Sequence, residues 1–240
     1  MKNTFLLLLT ALLAVSATAQ DKVVNDPNAE RRDVPSFHAI DVSGGIDLYL
    51  TQSGTEAVAV SASKEEYRDK IRTEVKNGVL KIYYEYNSNF NFSWNNNRKL
   101  KAYVSVKNID GLEASGGSDI EVTGTLSAPK LVLDLSGGSD FKGNVNIGDL
   151  SVDASGGSDV HISGKATNLV LEASGGSDVD GYDLSADNCT ADCSGGSDIT
   201  ITVNKELSAD ASGGSDIHYR GSGTVRKVNS GGGGSVKKRG

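Results

Sequence analysis

Six aspartates, Asp119, Asp140, Asp159, Asp178, Asp198 and Asp216, close six copies of the pentapeptide Ser-Gly-Gly-Ser-Asp. The copies begin at Ser115, Ser136, Ser155, Ser174, Ser194 and Ser212. Stacked one per turn, neighbouring carboxylates would stand ~5 Å apart and repel by ~1 kcal/mol in water or ~3 kcal/mol at an effective dielectric of 20. Relief must come from hydrogen bonds to corner amides or to Ser118, Ser139, Ser158, Ser177, Ser197 and Ser215, from solvent, from partial protonation, or from cations. Oxygen ligands in rows suit calcium. The pentapeptide, however, supplies one acid per turn and does not match the nine-residue calcium repeat of β-solenoids. Turn capping is therefore the preferred reading of the column, calcium is its rival, and no other cofactor is expected. Paired acids also perform glycoside chemistry, but that needs one asymmetric cluster whose members sit in different environments. Near-identical residues recurring in register are what a backbone requirement produces, so no catalytic residue is assigned and the chain reads as a non-enzyme.

Other residue types in the chain could also do chemistry. Phe90, Phe92 and Trp94 alternate with amides across residues 87–97, a composition able to stack on sugar rings and hydrogen-bond their hydroxyls. They form the candidate glycan-contact loop. Cys189 and Cys193 lie four residues apart on one expected strand, ~13 Å between Cα atoms and beyond disulfide reach, so buried free thiols are expected. His161 and His218 recur at one outward position but not in adjacent turns, which argues against a metal pair. His38 has no evident partner in the sequence. Arg226, Lys227, Lys237, Lys238 and Arg239 make the end basic, suited to a solvated tail, an anionic surface or another protomer's acidic face.

The elements that must hold these residues follow from the repeat itself. One, three and five residues before each pentapeptide the chain is apolar or small, as in Leu131, Leu133, Leu135 and Leu150, Val152, Ala154. The position two before carries an acid in every copy: Glu113, Asp134, Asp153, Glu172, Asp192 and Asp210. This period of two describes a strand with one buried face. An apolar residue follows each pentapeptide, so each unit reads as strand, Gly-Gly corner, strand and loop. A unit of about 20 residues cannot bury its apolar face alone, whereas stacked units can, which predicts an all-β parallel β-helix or β-solenoid. Degenerate copies at 43–47 and 230–235 flank the array. Residues 21–108 have fewer glycines, strand-like runs and an Asn77-Gly78 hairpin signal, and they read as an N-terminal β-rich capping region.

Composition limits the function classes. The 240 residues include 29 Gly and only 3 Pro, with 37% hydrophobic and 23% charged residues, which excludes collagen, polyproline stalks and wholesale disorder. A formal charge of -7 lacks the basic footprint that nucleic acid requires. Residues 111–220 hold 18 acids against 5 Lys or Arg, so diffuse cation attraction is expected along the array. Residues 1–20 show a lysine, an apolar run and small residues ending at Ala19, the pattern of a secretory signal peptide cut after that residue. No later segment is apolar enough to span a bilayer.

The export signal, the segments Phe37-His38-Ala39-Ile40-Asp41-Val42-Ser43-Gly44-Gly45-Ile46-Asp47-Leu48 and Val75-Lys76-Asn77-Gly78-Val79-Leu80-Lys81-Ile82, and the serial SGGSD turns together resemble the bacterial family of auto-transporter adhesins with a head GIN domain. The resemblance spans roughly residues 35–220 and departs from the Gly-Ile-Asn signature at Asp47. It implies a right-handed β-helix and adhesion to an unspecified ligand, and brings no catalytic residue. The resulting expectation has four parts: a signal peptide over 1–19, an N-terminal β-rich region over 20–108 continuous with or capping the solenoid, the repeat solenoid over 109–228, and a Gly-rich basic tail or terminal turn over 229–240. The expected role is an exported adhesion or surface-interaction module, periplasmic, surface-associated or secreted. Its candidate partners are polysaccharide, host matrix or a second copy.

Overall fold

The computed structural model describes residues 26–86 and 97–239. Along the chain the first elements are β1 (Glu30–Arg32), β2 (Ala39–Ser43), β3 (Asp47–Gln52), β4 (Ala57–Ser61), α1 (Glu65–Arg68), β5 (Ile71–Lys76), β6 (Val79–Tyr84), β7 (Lys101–Val106) and β8 (Gly111–Ser115). The repeat region contributes β9 (Ile120–Leu135), β10 (Asp140–Ala154), β11 (Asp159–Ala173), β12 (Asp178–Cys193) and β13 (Asp198–Ser212). The chain closes with β14 (Asp216–Arg220), β15 (Thr224–Gly231) and β16 (Ser235–Lys238). Fold class is as the repeat predicts: parallel rungs stack into a β-solenoid of about 7 turns.

Period-two patterning becomes vertical columns because the rungs stack in register. Ile120, Phe141, Val160, Val179, Ile199 and Ile217 pair in sequence just after the corner, and all are buried. Just before it, Leu135, Ala154, Ala173, Cys193 and Ala211 form a second column, with Leu133, Val152, Leu171, Ala191 and Ala209 beside it. A fully buried Leu, Ile or Phe contributes ~1.5–3 kcal/mol. A single rung buries too few to fold alone, so the columns make each rung depend on the next.

One expected feature differs. No separate loop divides the two strands of a repeat: β9 to β13 each run 15 or 16 residues from one corner to the next. Every corner-to-corner segment has a like segment on both sides, so the ladder continues past the bend in the wall, with register shifts there, as between Lys142 and Asn144 and between Gly181 and Ser185. In β9 and β11 a glycine with positive φ lies within the strand, Gly124 at 84° and Gly164 at 110°.

The N-terminal region is part of the stack, and its rungs are laid out of chain order. β2 and β3 lie between β6 and β7 on one side and β8 and β9 on the other, all in parallel. Antiparallel strands then cover the exposed edge: β5 on β6, β4 on β7 and β1 on β4. An open parallel edge would offer unpaired amides to another chain, and short antiparallel strands with charged residues blunt that hazard. The hairpin between β5 and β6 turns at Asn77 and Gly78, with φ of 53° and 79°, the left-handed pair expected of a two-residue turn. His38, without a partner in the sequence reading, has one here: its Nδ1 lies 2.7 Å from Asp110 Oδ1.

Candidate functional site

The Gly-Gly corners align as a ridge along one edge of the solenoid. From Gly137 onward the first glycine of each pentapeptide corner is demanded twice, by its positive φ and by its neighbour. Gly195 has φ of 85°, and a Cβ there would sit 2.9 Å from the Gly175 amide nitrogen in the corner of the adjacent rung. Gly175 stands in the same relation to Gly156, and Gly156 to Gly137, at 3.1 Å each. A side chain would meet strain and collision together.

The second serine of the pentapeptide explains why the motif repeats. Ser118, Ser139, Ser158, Ser177, Ser197 and Ser215 are 0% exposed. Each oxygen described in these bonds faces the corner of the preceding rung and accepts its amides. Gly45 and Ile46 donate to Ser118 Oγ, each at 3.1 Å; Gly157 and Ser158 donate to Ser177 Oγ at 3.2 and 3.1 Å; Gly176 and Ser177 donate to Ser197 Oγ, each at 3.1 Å. The hydroxyl proton goes back to the carbonyl three residues earlier, from Ser158 to Ser155 at 2.9 Å and from Ser177 to Ser174 at 3.0 Å. Tight corners leave amides without a ladder partner, and a buried unpaired amide is costly. One hydroxyl per corner removes that cost, so these serines bond the backbone and not the aspartate carboxylates.

The six aspartates form the column that the repeat implies, with Asp140, Asp159, Asp178, Asp198 and Asp216 paired rung to rung. Their carboxylates accept from the next aspartate's amide: Asp140 to Asp119, Asp159 to Asp140 and Asp216 to Asp198, at 3.2, 3.3 and 3.2 Å. On the other flank of the ridge, Asp41, Glu113, Asp134, Asp153, Glu172, Asp192 and Asp210 make a second carboxylate ladder. Asp41 extends it by one rung and was legible in hindsight, because it stands two residues before Ser43 as the others stand before their serines. Lys81 opens this ladder, its ammonium 2.6 Å from Asp41, and Asn229 ends it, donating to Asp210 at 2.8 Å. On the first flank Lys101 is the register partner of Asp47, and Ser235 follows Asp216 and donates to it.

Protonation follows this arrangement. Partial burial raises Asp119, the Asp140 amide opposes that rise, and the Asp140 and Asp47 carboxylates add to it. Burial likewise raises Glu113 and Asp134, reinforced by their acidic neighbours in the ladder. Burial raises Asp47 against the pull of Lys101. At the far end Asp216 is lowered, chiefly by its bond from Ser235. Among the described residues no three His, Cys, Asp or Glu converge as a metal-holding group.

Cys189 and Cys193 are free and buried, and burial pushes their thiols up to about 12 and about 11. His161 is exposed on β11, while His218 on β14 lies 2.9 Å from Arg239. Phe90, Phe92 and Trp94, together with residues 1–25, lie outside the described residues. At the border of that segment Tyr84 and Tyr86 meet edge to face at 5.0 Å, and the Arg98 guanidinium sits 5.0 and 5.4 Å from their rings.

No helix among the described residues is long and apolar enough to cross a membrane. Comparison with solved structures finds a putative adhesin from Bacteroides fragilis NCTC 9343 with a TM-score of 0.81 and 22% identity, over 88% of this chain and 96% of that one. A putative adhesin from Parabacteroides distasonis ATCC 8503 gives 0.68 at 19% identity, over 88% and 96%. A protein from the same organism described as a putative lipid binding protein gives 0.61 at 19%, over 90% and 98%. At these identities the likeness is one of fold. No curated protein matches the chain. The family model described as putative auto-transporter adhesin, head GIN domain, matches residues 36–223, and the chain belongs to that family.

Proposed function

We propose that the protein is an exported, non-enzymatic adhesion module that presents the outside of its solenoid to a surface ligand, a polysaccharide or a matrix component. One observation carries the reading. The ridge repeats the same chemistry on rung after rung, two carboxylate ladders in register flanking glycine corners whose amides are held by the buried serine of the adjacent rung. Such regularity suits many weak contacts in parallel, whereas catalysis needs one asymmetric cluster. In this reading the six aspartates cap corners and set the charge of the ridge, Phe90, Phe92 and Trp94 contact glycan, and residues 1–19 direct export.

The test is binding of the purified protein to arrayed glycans and to immobilised matrix proteins. Saturable binding that weakens at least tenfold when Phe90, Phe92 and Trp94 are replaced by Ala supports the module and its loop. Binding that the triple variant leaves intact removes the loop, and no binding to either array removes the adhesion reading. Amino-terminal sequencing of exported material should begin at Gln20.

A further inference from the structure

Away from the ridge, the wall bends a second time and the register slips. The slips fall between Lys142 and Asn144 against β9, between His161 and Gly164 against β12, and between Gly181 and Ser185 against β13. They leave a notch of about 310 Å3 that crosses four rungs, β9 to β12. A side chain is excluded at Gly143, where a Cβ would lie 2.8 Å from the Phe141 ring, and strained at Gly124, whose φ is 84°.

The notch has a fixed interior and a charged rim. Half-buried Val122 supplies its apolar surface, and Ile162 beside it is only 3% exposed. Asn144 is locked from both ends, accepting from Thr125 Oγ1 at 2.9 Å and donating to Ser163 Oγ at 3.0 Å; Ser163 in turn donates to the Gly143 carbonyl at 3.3 Å. On the rim Lys142, His161 and Asp180 stand on successive rungs as register partners, so they span ~10 Å at the ~4.8 Å strand spacing. Thr200 Oγ1 donates to Asp180 at 3.1 Å, His161 lies 3.8 Å from the same carboxylate, and Asp183 is 3.6 Å from Arg220.

We propose that this notch binds a neutral saccharide of one or two units. The proposal deepens the adhesion reading and rests on it. Carboxylates accept sugar hydroxyls, an ammonium and an imidazole donate to sugar oxygens, and an apolar floor meets the C–H face of the ring. The volume lies at the small end of the ~300–1,000 Å3 range of ligand sites, which fits a ligand of this size. Charge selects against acidic sugars, since residues 111–220 carry 18 acids against 5 Lys or Arg.

The test is a titration of the full-length 15N-labelled protein with cellobiose, lactose, N,N'-diacetylchitobiose and digalacturonate at millimolar concentrations, read by amide shifts. The expected result is shifts confined to residues 142–144, 161–163 and 180–183 with at least one neutral disaccharide, and a response to digalacturonate at least fivefold weaker. Asp180→Asn should weaken the neutral ligand at least tenfold and leave Tm unchanged, because Asp180 is exposed. Silence from all three neutral disaccharides, shifts elsewhere, or tighter binding of digalacturonate would overturn the notch assignment. Binding to the arrays separates the two failures: arrays that bind while the notch stays silent overturn the notch alone.

Discussion

Asp119 illustrates what one residue can reveal about the ladders. Its carboxylate accepts an amide bond from Asp140 while facing the charges of Asp140 and Asp47. Asp119→Asn keeps an acceptor for that amide and removes the repulsion, so it should stabilise the fold at neutral pH by up to about 1 kcal/mol, less any screening by solvent. Asp119→Ala loses both and should not stabilise; chemical denaturation of the two variants decides. A carboxyl whose pKa is higher folded than unfolded holds its proton more tightly in the folded state, so its contribution is present at lower pH and is lost as pH climbs through the raised value. Asp47, Glu113, Asp119 and Asp134 all shift that way. Asp216 and Glu206 shift downward and lose their contribution only below the ordinary carboxylate range. Melting temperature should therefore rise as pH falls from 7 toward the ordinary carboxylate range, and less so in the Glu113→Gln, Asp134→Asn double variant; a flat profile in both proteins contradicts the assignment. The aspartate column was legible because one pentapeptide repeats. The role of Ser118 and its equivalents was not, since a serine beside an acid invites a side-chain bond, and only the stacked corner reveals the amides that need it.

At the scale of the element, the two glycines of a corner are unequal. Gly195 combines positive φ with a Cβ contact at 2.9 Å, whereas Gly196 lies outside the left-handed region and a Cβ there would meet nothing within 4 Å. Gly195→Ala should cost about 1–3 kcal/mol from backbone strain, with the collision added, and Gly196→Ala no more than about 0.5 kcal/mol. Equal losses in thermal melts would show that the corner does not stack as described. Strand alternation, corners and the Asn77-Gly78 hairpin are local signals and could be read from the chain. The position of β6 and β7 outside β2 and β3 could not, because it depends on pairings far apart in sequence. The notch was equally hidden: Gly143 and Lys142 carry no motif, and it takes the register slip to bring Lys142, His161 and Asp180 around one depression.

Across the whole molecule, the acids are arranged in rows and the interior is a thin stack of small apolar columns. Like charges at ~5 Å are closer than the ~10 Å Debye length of 0.1 M salt, so added NaCl should screen the ladders partially and raise the melting temperature by a few degrees. Calcium at matched ionic strength should add no more than about 2 °C; a larger rise would indicate an ordered site, because a ligand of the folded state stabilises by mass action. The stack itself rests on buried serines that hold the corner of the preceding rung. Amide hydrogen exchange on the unaltered protein and on Ser177→Ala tests this most directly, because Gly157 and Ser158 both donate to Ser177 Oγ. Leaving the buried Ser158 donor unmade should cost about 1–3 kcal/mol, and the part-buried Gly157 donor adds less because water can reach it. The expected result is protection of both amides in the unaltered protein and a selective loss of at least tenfold in the variant, with the backbone amides of Gly176 and of position 177 still protected through Ser197. Unprotected exchange at Gly157 and Ser158 before any substitution, or no change after it, would contradict the account.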